Sequence, residues 1–354
     1  MRKKYLILGC SVLLAVIIGN NQITAQENTV LGISQMITLA VSNNLQLKKA
    51  NYNLKNTELE ARKLEAENLL GKSTISDLQK EIVLLNQQNQ FQSEKDQLLI
   101  RVADDYFRIK ISEKDIESKQ KKVELERLIL EDVEKQVAAG YSVDLDLLQQ
   151  GNEYYNALFS YQGSELNYQQ LLIEVKNRLG LDRNENIITS ELTIAEFPEM
   201  PLAESIAKAR QNSISLQSHT VNIKKVEREL EVARADDLSE IEILKLENNL
   251  GIAKLDKSLA EQELNYQVET QWMNYNQAKN DIISSQRSLR QMEENQSIIQ
   301  RQVQAGLRSE EEGLSAAIGV LDSQYRLISS IRQVYQSYLE LQRMMGTLDE
   351  GDLK

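Results

Sequence analysis

Few side chains in this sequence suit bond-making chemistry. The chain has one histidine, His219, and one cysteine, Cys10, so a Ser/His/Asp set, a thiolate cluster and most histidine-based metal sites lack their parts. His219 lies in the polar stretch Gln217-Ser218-His219-Thr220 and reads as an ordinary surface or packing residue. Carboxylates are plentiful, with 53 Asp and Glu against 41 Lys and Arg, but on solvated helices they serve as surface charge. No glycine-rich loop follows a strand in a phosphate-cradling pattern. One charged cluster stands out, Arg308-Ser309-Glu310-Glu311-Glu312. There Ser309 suits a helix N-cap, and the three acids suit a first turn beside the positive end of the helix dipole. The expectation is a protein that is not an enzyme and uses no cofactor or metal.

The elements carrying these residues must be long helices. Only 2 prolines and 14 glycines occur in 354 residues, whereas a strand-rich or mixed domain of this size spends many more at its turns. Both prolines, Pro198 and Pro201, stand together, and the stretches on either side are proline-free, which extended helices tolerate best. The formal net charge of −12 repels phosphate and argues against a nucleic-acid partner.

Residues 1–25 read as a secretory signal. Arg2, Lys3 and Lys4 precede an apolar run from Tyr5 to Ile18, then a polar segment and Ile23-Thr24-Ala25, after which cleavage is expected. The run falls short of the ~20 residues that span a bilayer as a helix. Ile7-Leu8-Gly9-Cys10 offers lipid attachment as the alternative, although most of the apolar run lies beyond Cys10. Loss of three positive charges takes the mature chain from −12 to −15, and the protein is expected to be exported and to work in the cell envelope, at the cell surface or outside the cell.

Self-comparison reveals a duplicated unit. Gln136-Val137-Ala138-Ala139-Gly140 recurs as Gln302-Val303-Gln304-Ala305-Gly306 at an offset of 166, and Leu179-Gly180 recurs as Met345-Gly346 at the same offset. Upstream, Ala40-Val41-Ser42-Asn43-Asn44-Leu45 matches Ala209-Arg210-Gln211-Asn212-Ser213-Ile214 at an offset of 169. The organisation is therefore a first helical repeat (26–180), a linker (181–201) holding both prolines, a second repeat (202–346) and a tail (347–354). In the linker, Ile187-Ile188-Thr189 and Leu192-Thr193-Ile194 suit a short strand or two.

Val102, Ile109, Ile116, Val123, Leu130 and Val137 follow one another at intervals of seven, and Val268, Tyr275, Ile282, Leu289, Gln296 and Val303 repeat the line at the offset of 166. Such a period imposes a left-handed supercoil. The pattern predicts, in the first copy, a helix over 33–70, a turn at Gly71-Lys72-Ser73-Thr74, a helix over 75–139, an elbow at Gly140 and a helix over 142–179. The middle helix would be about 98 Å long and the two flanking helices together about 114 Å, so one long helix runs antiparallel to two shorter ones stacked end to end. The second copy repeats this, with a turn at Asp236-Asp237-Leu238-Ser239 and an elbow at Gly306. Helices laid out in this way are expected to bury their apolar seams only between chains.

This plan resembles the TolC-like outer-membrane efflux proteins. The motifs carrying the likeness are Ala103-Asp104-Asp105-Tyr106-Phe107, the elbow Ala139-Gly140-Tyr141-Ser142-Val143-Asp144-Leu145-Asp146-Leu147, and the ending Gly346-Thr347-Leu348-Asp349-Glu350-Gly351-Asp352-Leu353. The likeness covers nearly the whole chain after the signal. It implies an all-α fold that assembles as a homotrimer into a tunnel of twelve helical strands. The departure lies at the turns replacing the family's barrel hairpins, namely Gly71, Lys72 and Ser73 in the first copy and Asp236, Asp237 and Ser239 in the second. A hairpin of membrane strands needs at least ~20 residues, and neither stretch supplies them, so no membrane β-barrel is expected.

The resemblance also implies a gate at the elbow end, where acids ring the narrow opening and an Arg of one elbow reaches an Asp of the other. Asp146 and Glu312 each lie six residues past an elbow glycine, and Arg308 two past Gly306. Carried over, these give an Asp146–Arg308 pair and an acidic constriction at Glu312 that favours cations. Ser315 stands where a further acid is expected, which weakens the ring. The helix-start reading of the same cluster stays open beside the gate. So does the place of the polar run Asn86-Gln87-Gln88-Asn89-Gln90, on a lumen wall or an outer face.

The function expected is a hollow helical tube outside the cytoplasm that joins end to end into filaments or surface tubules. The alternatives are an envelope duct working with a membrane-fusion adaptor and a transporter, and a solid coiled-coil scaffold.

Overall fold

A computed structural model describes residues 29–67, 73–192 and 197–352. The expected signal over 1–25, the lipid-attachment site Cys10 and the turn residues Gly71 and Lys72 lie outside the described residues, as do Thr193 and Ile194.

Helices dominate. The first copy contains β1 (Thr29–Leu31), α1 (Ile33–Asn43), α2 (Leu45–Glu67), α3 (Thr74–Ala138) and α4 (Asp144–Leu179). The linker carries β2 (Ile187–Thr189), and the second copy contains α5 (Leu202–Asn212), α6 (Ile214–Ala235), α7 (Glu240–Gln304) and α8 (Glu310–Met344), before a 3-10 turn over Glu350–Asp352. Both long helices have 65 residues, or about 98 Å. Each lies against two shorter helices stacked along it, α2 and α4 on α3, α6 and α8 on α7.

Side by side, the helices form a single layer. On the elbow side of the middle the order is α4, α3, α8, α7; on the turn side it is α2, α3, α6, α7. The seven-residue lines named above face inward, with Val102, Ile109, Val268, Tyr275 and Ile282 buried and the others half-buried or better.

The helix expected over 33–70 is two helices, broken at Asn44. That residue leaves helical geometry with ψ 120°, and its side-chain oxygen accepts from the backbone N–H of Leu47 at 3.0 Å, starting a new helix at a fresh angle. Asn43 donates its amide to the carbonyl of Leu179 at 3.2 Å. The second copy breaks in the same way: Ser213 caps α6 through the N–H of Leu216, and Asn212 donates to the carbonyl of Met345 at 2.9 Å. The matched Asn43-Asn44 and Asn212-Ser213 of the repeat are therefore cap residues. The shift of three in repeat offset falls between the starts of these helices: α2 starts at Leu45 and α3 at Thr74, whereas α6 starts at Ile214 and α7 at Glu240, three fewer apart.

The expectation that a single chain buries no core is also overturned. Near mid-length, α1, the helix breaks, the long helices and α8 converge on Met36, Leu99, Val102, Tyr275, Leu339 and Leu341, all fully buried. Each such side chain contributes about 1.5–3 kcal/mol. The linker is strapped across this level from both long helices. Tyr106 donates its hydroxyl to the carbonyl of Ser190 at 2.9 Å, and Trp272, its equivalent in the second copy, donates its indole N–H to the carbonyl of Met200 at 2.6 Å. Strand β2 forms at the expected Ile187–Thr189, but its partner is β1, paired in parallel with Val30 opposite Ile188. Isolated from its partner, Thr29–Leu31 carries too short a pattern to announce itself.

Candidate functional site

The elbows are built from backbone geometry that the repeat sequence encodes. After α3, Gly140 takes φ 77°, and Tyr141 donates its N–H back to the carbonyl of Gln136 at 2.8 Å. After α7, Gly306 takes φ 71°, and Leu307 donates to Gln302 at 2.8 Å. These are left-handed helix closures in which glycine avoids a Cβ clash. Such closures commonly tuck the following residue onto the helix, yet Tyr141 is 87% and Leu307 77% exposed. Each elbow thus ends in an apolar tip.

The residues expected to form a gate, Asp146, Arg308 and Glu312, sit immediately beyond. Asp146 accepts from the backbone N–H of Val143 at 3.3 Å and from the hydroxyl of Ser142. The Ser142 bond first, and that backbone bond second, hold its pKa below the usual 3.8. In the other elbow, Ser309 and Glu312 form a reciprocal capping box, with Glu312 N–H to Ser309 Oγ at 3.2 Å and Ser309 N–H to Glu312 Oε2 at 3.1 Å. Arg308 donates Nε to Gln302 Oε1 at 2.7 Å and Nη1 to Glu312 Oε1 at 2.5 Å. Arg308 and Glu312 are therefore brought together, whereas Asp146 is bonded within the first elbow and makes no ion pair with Arg308 in this chain.

At the opposite end, Asp236 closes α6 with its N–H on Val232, Asp237 adopts φ 55°, and Ser239 caps α7 in a box with Glu242. Ser73 caps α3 through the N–H of Ser76. Six residues of sequence separate Glu67 from Thr74 and four separate Ala235 from Glu240, against the ~20 that a hairpin of membrane strands needs. Among the described residues the strands are two, of three residues each, no helix is long and apolar enough to cross a membrane, and no group of acids, His or Cys is placed to hold a metal ion. In the polar run of α3, Asn86 accepts from Ser218 of α6 at 3.0 Å, which places it at a helix contact.

The seven-residue lines of the sequence account for one face of each helix only. A second set runs along the two free edges of the layer. On α4, Leu145, Phe159, Leu166 and Ile173, with Leu148 and Tyr155 on the companion line, are exposed. The buried line of that helix is Ala157, Ser164 and Leu171. On α7, Ile252, Leu259, Tyr266 and Met273 are exposed beside the buried Val268 and Tyr275. On α2, Leu45, Tyr52 and Leu59 are exposed near the buried Leu47. Each exposed line is two residues out of phase with the buried one, about 200° around the helix. The edge helices therefore carry two opposite apolar faces, one covered within the chain and one bare.

No family model matches the chain, and neither does any curated protein sequence. Solved structures do. The outer membrane channel CmeC of Campylobacter jejuni aligns over 90% of this chain and 88% of its own, with 13% identity and a TM-score of 0.66. The outer membrane protein VceC of Vibrio cholerae covers 89% and 96% at 12% identity and 0.64. The open-state outer membrane channel MtrE of Neisseria gonorrhoeae covers 90% and 91% at 13% identity and 0.58. The all-α fold read from the sequence is thus the helical fold of these channels.

Proposed function

We propose that this chain, on the channel fold just described, assembles as a homotrimer into a hollow tube of twelve helical strands that serves as a conduit outside the cytoplasm. The observation that carries the reading is the pair of bare heptad lines, one on α7 and one along α2 and α4. A helix with apolar lines on opposite sides belongs in a ring with a neighbour on each side. Edge-to-edge contact of α7 with α2 and α4 of the next copy covers both lines and leaves no free edge. A solid two-chain rod gives the two opposed faces of each edge helix no such use.

Without barrel hairpins, both ends of the tube are rings of helix turns. The apolar tips Tyr141 and Leu307 at one end, and Leu238 and Ile241 at the other, suit head-to-tail joining of tubes into longer tubules. The same exposed elbow tips favour a second reading, an envelope duct whose elbow end docks on an adaptor and transporter. In either case Asp146, Arg308 and Glu312 form the gate: Arg308 leaves Glu312 for Asp146 when the elbow end closes, and the freed acids favour cations.

Electron microscopy of the purified chain lacking residues 1–25 tests the proposal. Hollow three-fold rings seen down the axis, and rods of variable length seen from the side, are expected. Monomers or two-chain rods overturn the tube; single tubes that copurify with an adaptor favour the duct.

A further inference from the structure

Two contacts fix the relative height of the two copies. Ser118 lies twenty positions before Ala138, the end of α3, and bonds at 2.7 Å to Asp322, which lies twelve positions after Glu310, the start of α8. Asp104, thirty-four positions before that end, bonds at 2.5 Å to Gln336, twenty-six after that start. Both pairs differ by eight positions, about 12 Å along a helix. Within each copy the offset is smaller, from level to six positions, the six belonging to the long side chains of Gln150 on Glu126 and Gln271 on Ser337. Lys119, nineteen positions before the end of α3, meets Ser164, twenty after the start of α4, and Ser285, nineteen before the end of α7, meets Ser330, twenty after the start of α8. The second elbow therefore stops about 12 Å short of the first.

Resting on the closed three-fold ring, we infer that this step fixes the register between copies: Ile283 of one chain packs on Ile173 of the next, and Ile298 on Phe159. Rotation about the ring axis moves a copy around the axis and not along it, so the step within the chain reappears at the seam. There α7 is set back eight positions against the neighbouring α4. Ile173 lies twenty-nine positions after Asp144, the start of α4, and Ile283 lies twenty-one before Gln304, the end of α7, a difference of eight. Phe159 lies fifteen after that start and Ile298 lies six before that end, a difference of nine. Beyond Met273, Ile283 and Ile298 are the exposed large apolar side chains of α7 toward its elbow end, and their spacing of fifteen is close to the fourteen between Phe159 and Ile173. The same spacing of fourteen separates the exposed Leu145 from Phe159, and the step decides between the two pairs in favour of Phe159 and Ile173. Leu145 and Leu148 then project past the end of the neighbour's α7, so the elbow rim alternates between three high and three low turns.

Cysteine pairs in the chain carrying Cys10→Ser test the register, because a disulfide forms only between residues in direct contact, with Cα atoms about 4.4–6.8 Å apart. Ile283→Cys with Ile173→Cys, and separately Ile298→Cys with Phe159→Cys, are expected to give covalent trimers on non-reducing gels. Ile283→Cys with Leu166→Cys and Ile298→Cys with Leu148→Cys, the level pairs of a seam without a step, are expected to stay single chains. Trimers by native mass that cross-link through the level pairs, or through neither set, overturn the register and leave the ring standing. Absence of trimers for the unsubstituted chain removes the ring itself.

Discussion

Asp104 on α3 takes a two-pronged bond from Arg332 on α8, with Nε on Oδ1 at 2.5 Å and Nη2 on Oδ2 at 3.1 Å. The next residue, Asp105, is buried and bonds Arg178 of α4 and Arg108. Consecutive side chains on a helix point about 100° apart, so this acidic pair ties α3 to a neighbour on each side. One tie joins the two copies of the repeat, the other closes the first copy on itself. Removing either partner of the Asp104–Arg332 link is expected to cost about 1.5–3 kcal/mol. Asp104→Ala and Arg332→Ala together should cost less than the sum of the two, because they share one interaction. Urea unfolding of the two single variants and the double variant measures that coupling; strict additivity would show that the link is idle.

Glycine matters differently at the elbows and at the helix breaks. A Cβ on Gly140 would meet nothing within 4 Å, so Gly140→Ala incurs only the left-handed backbone penalty at φ 77°, about 1–2 kcal/mol. Gly180, at φ 67°, would place its Cβ 2.6 Å from that of Asn43, adding an overpacking cost of about 1–3 kcal/mol. It would also push Asn43 off the carbonyl of Leu179. Thermal unfolding should rank Gly180→Ala well below Gly140→Ala, and equal melting temperatures would contradict the close approach.

Two carboxylates give opposite pH dependences. Asp146 has its pKa held below 3.8 by Ser142 and then Val143, so its stabilising contribution is complete above that value and is lost as pH falls through the lower folded value. Asp96 is buried, and burial raises its pKa above 3.8 against the opposing bond from Gln92. Its ionised form opposes folding above the raised value, and that penalty fades as pH falls toward 3.8. Unfolding midpoints measured against pH should lose the gain on mild acidification in Asp96→Asn and part of the acid-side fall in Asp146→Asn. Unchanged profiles in both would contradict these assignments.

The duplicated plan, the elbows at Gly140 and Gly306 and the long helices were legible in the sequence because turn residues are scarce and their positions repeat. The break at Asn44 was not, since Asn inside an apolar period is a weak local signal until Leu179, far along the chain, closes on Asn43. The equatorial core was missed for a similar reason: Met36, Leu99 and Leu339 belong to three helices with no mutual sequence signal. The bare edges were written in the sequence, two residues out of phase with the inner lines. A search for one heptad line per helix passes over the second, although Phe159, Leu166 and Ile173 keep the same period. The strap donors Tyr106 and Trp272 carried a signal too, two aromatic side chains at the repeat offset of 166.

Arg308 is the residue through which the gate reading stands or falls. In this chain its guanidinium lies between Gln302 and Glu312, both of its own elbow, and an exposed pair of that kind contributes about 0–1 kcal/mol. So little energy holds it that exchange to Asp146 of the other elbow is inexpensive, as a gate requires. Arg308→Ser should therefore leave the melting temperature close to that of the parent while widening the elbow end in cryo-EM maps of the tube and raising its ion conductance. Asp146→Asn should reproduce the widening, and the two together should widen it no further than either alone, because they remove the same closed-state bond. A charge cluster that merely starts α8 predicts the reverse pattern. Arg308→Ser would then leave the diameter at the elbow end and the conductance as they were, and Asp146→Asn would fray the first turn of α4 without altering the opening.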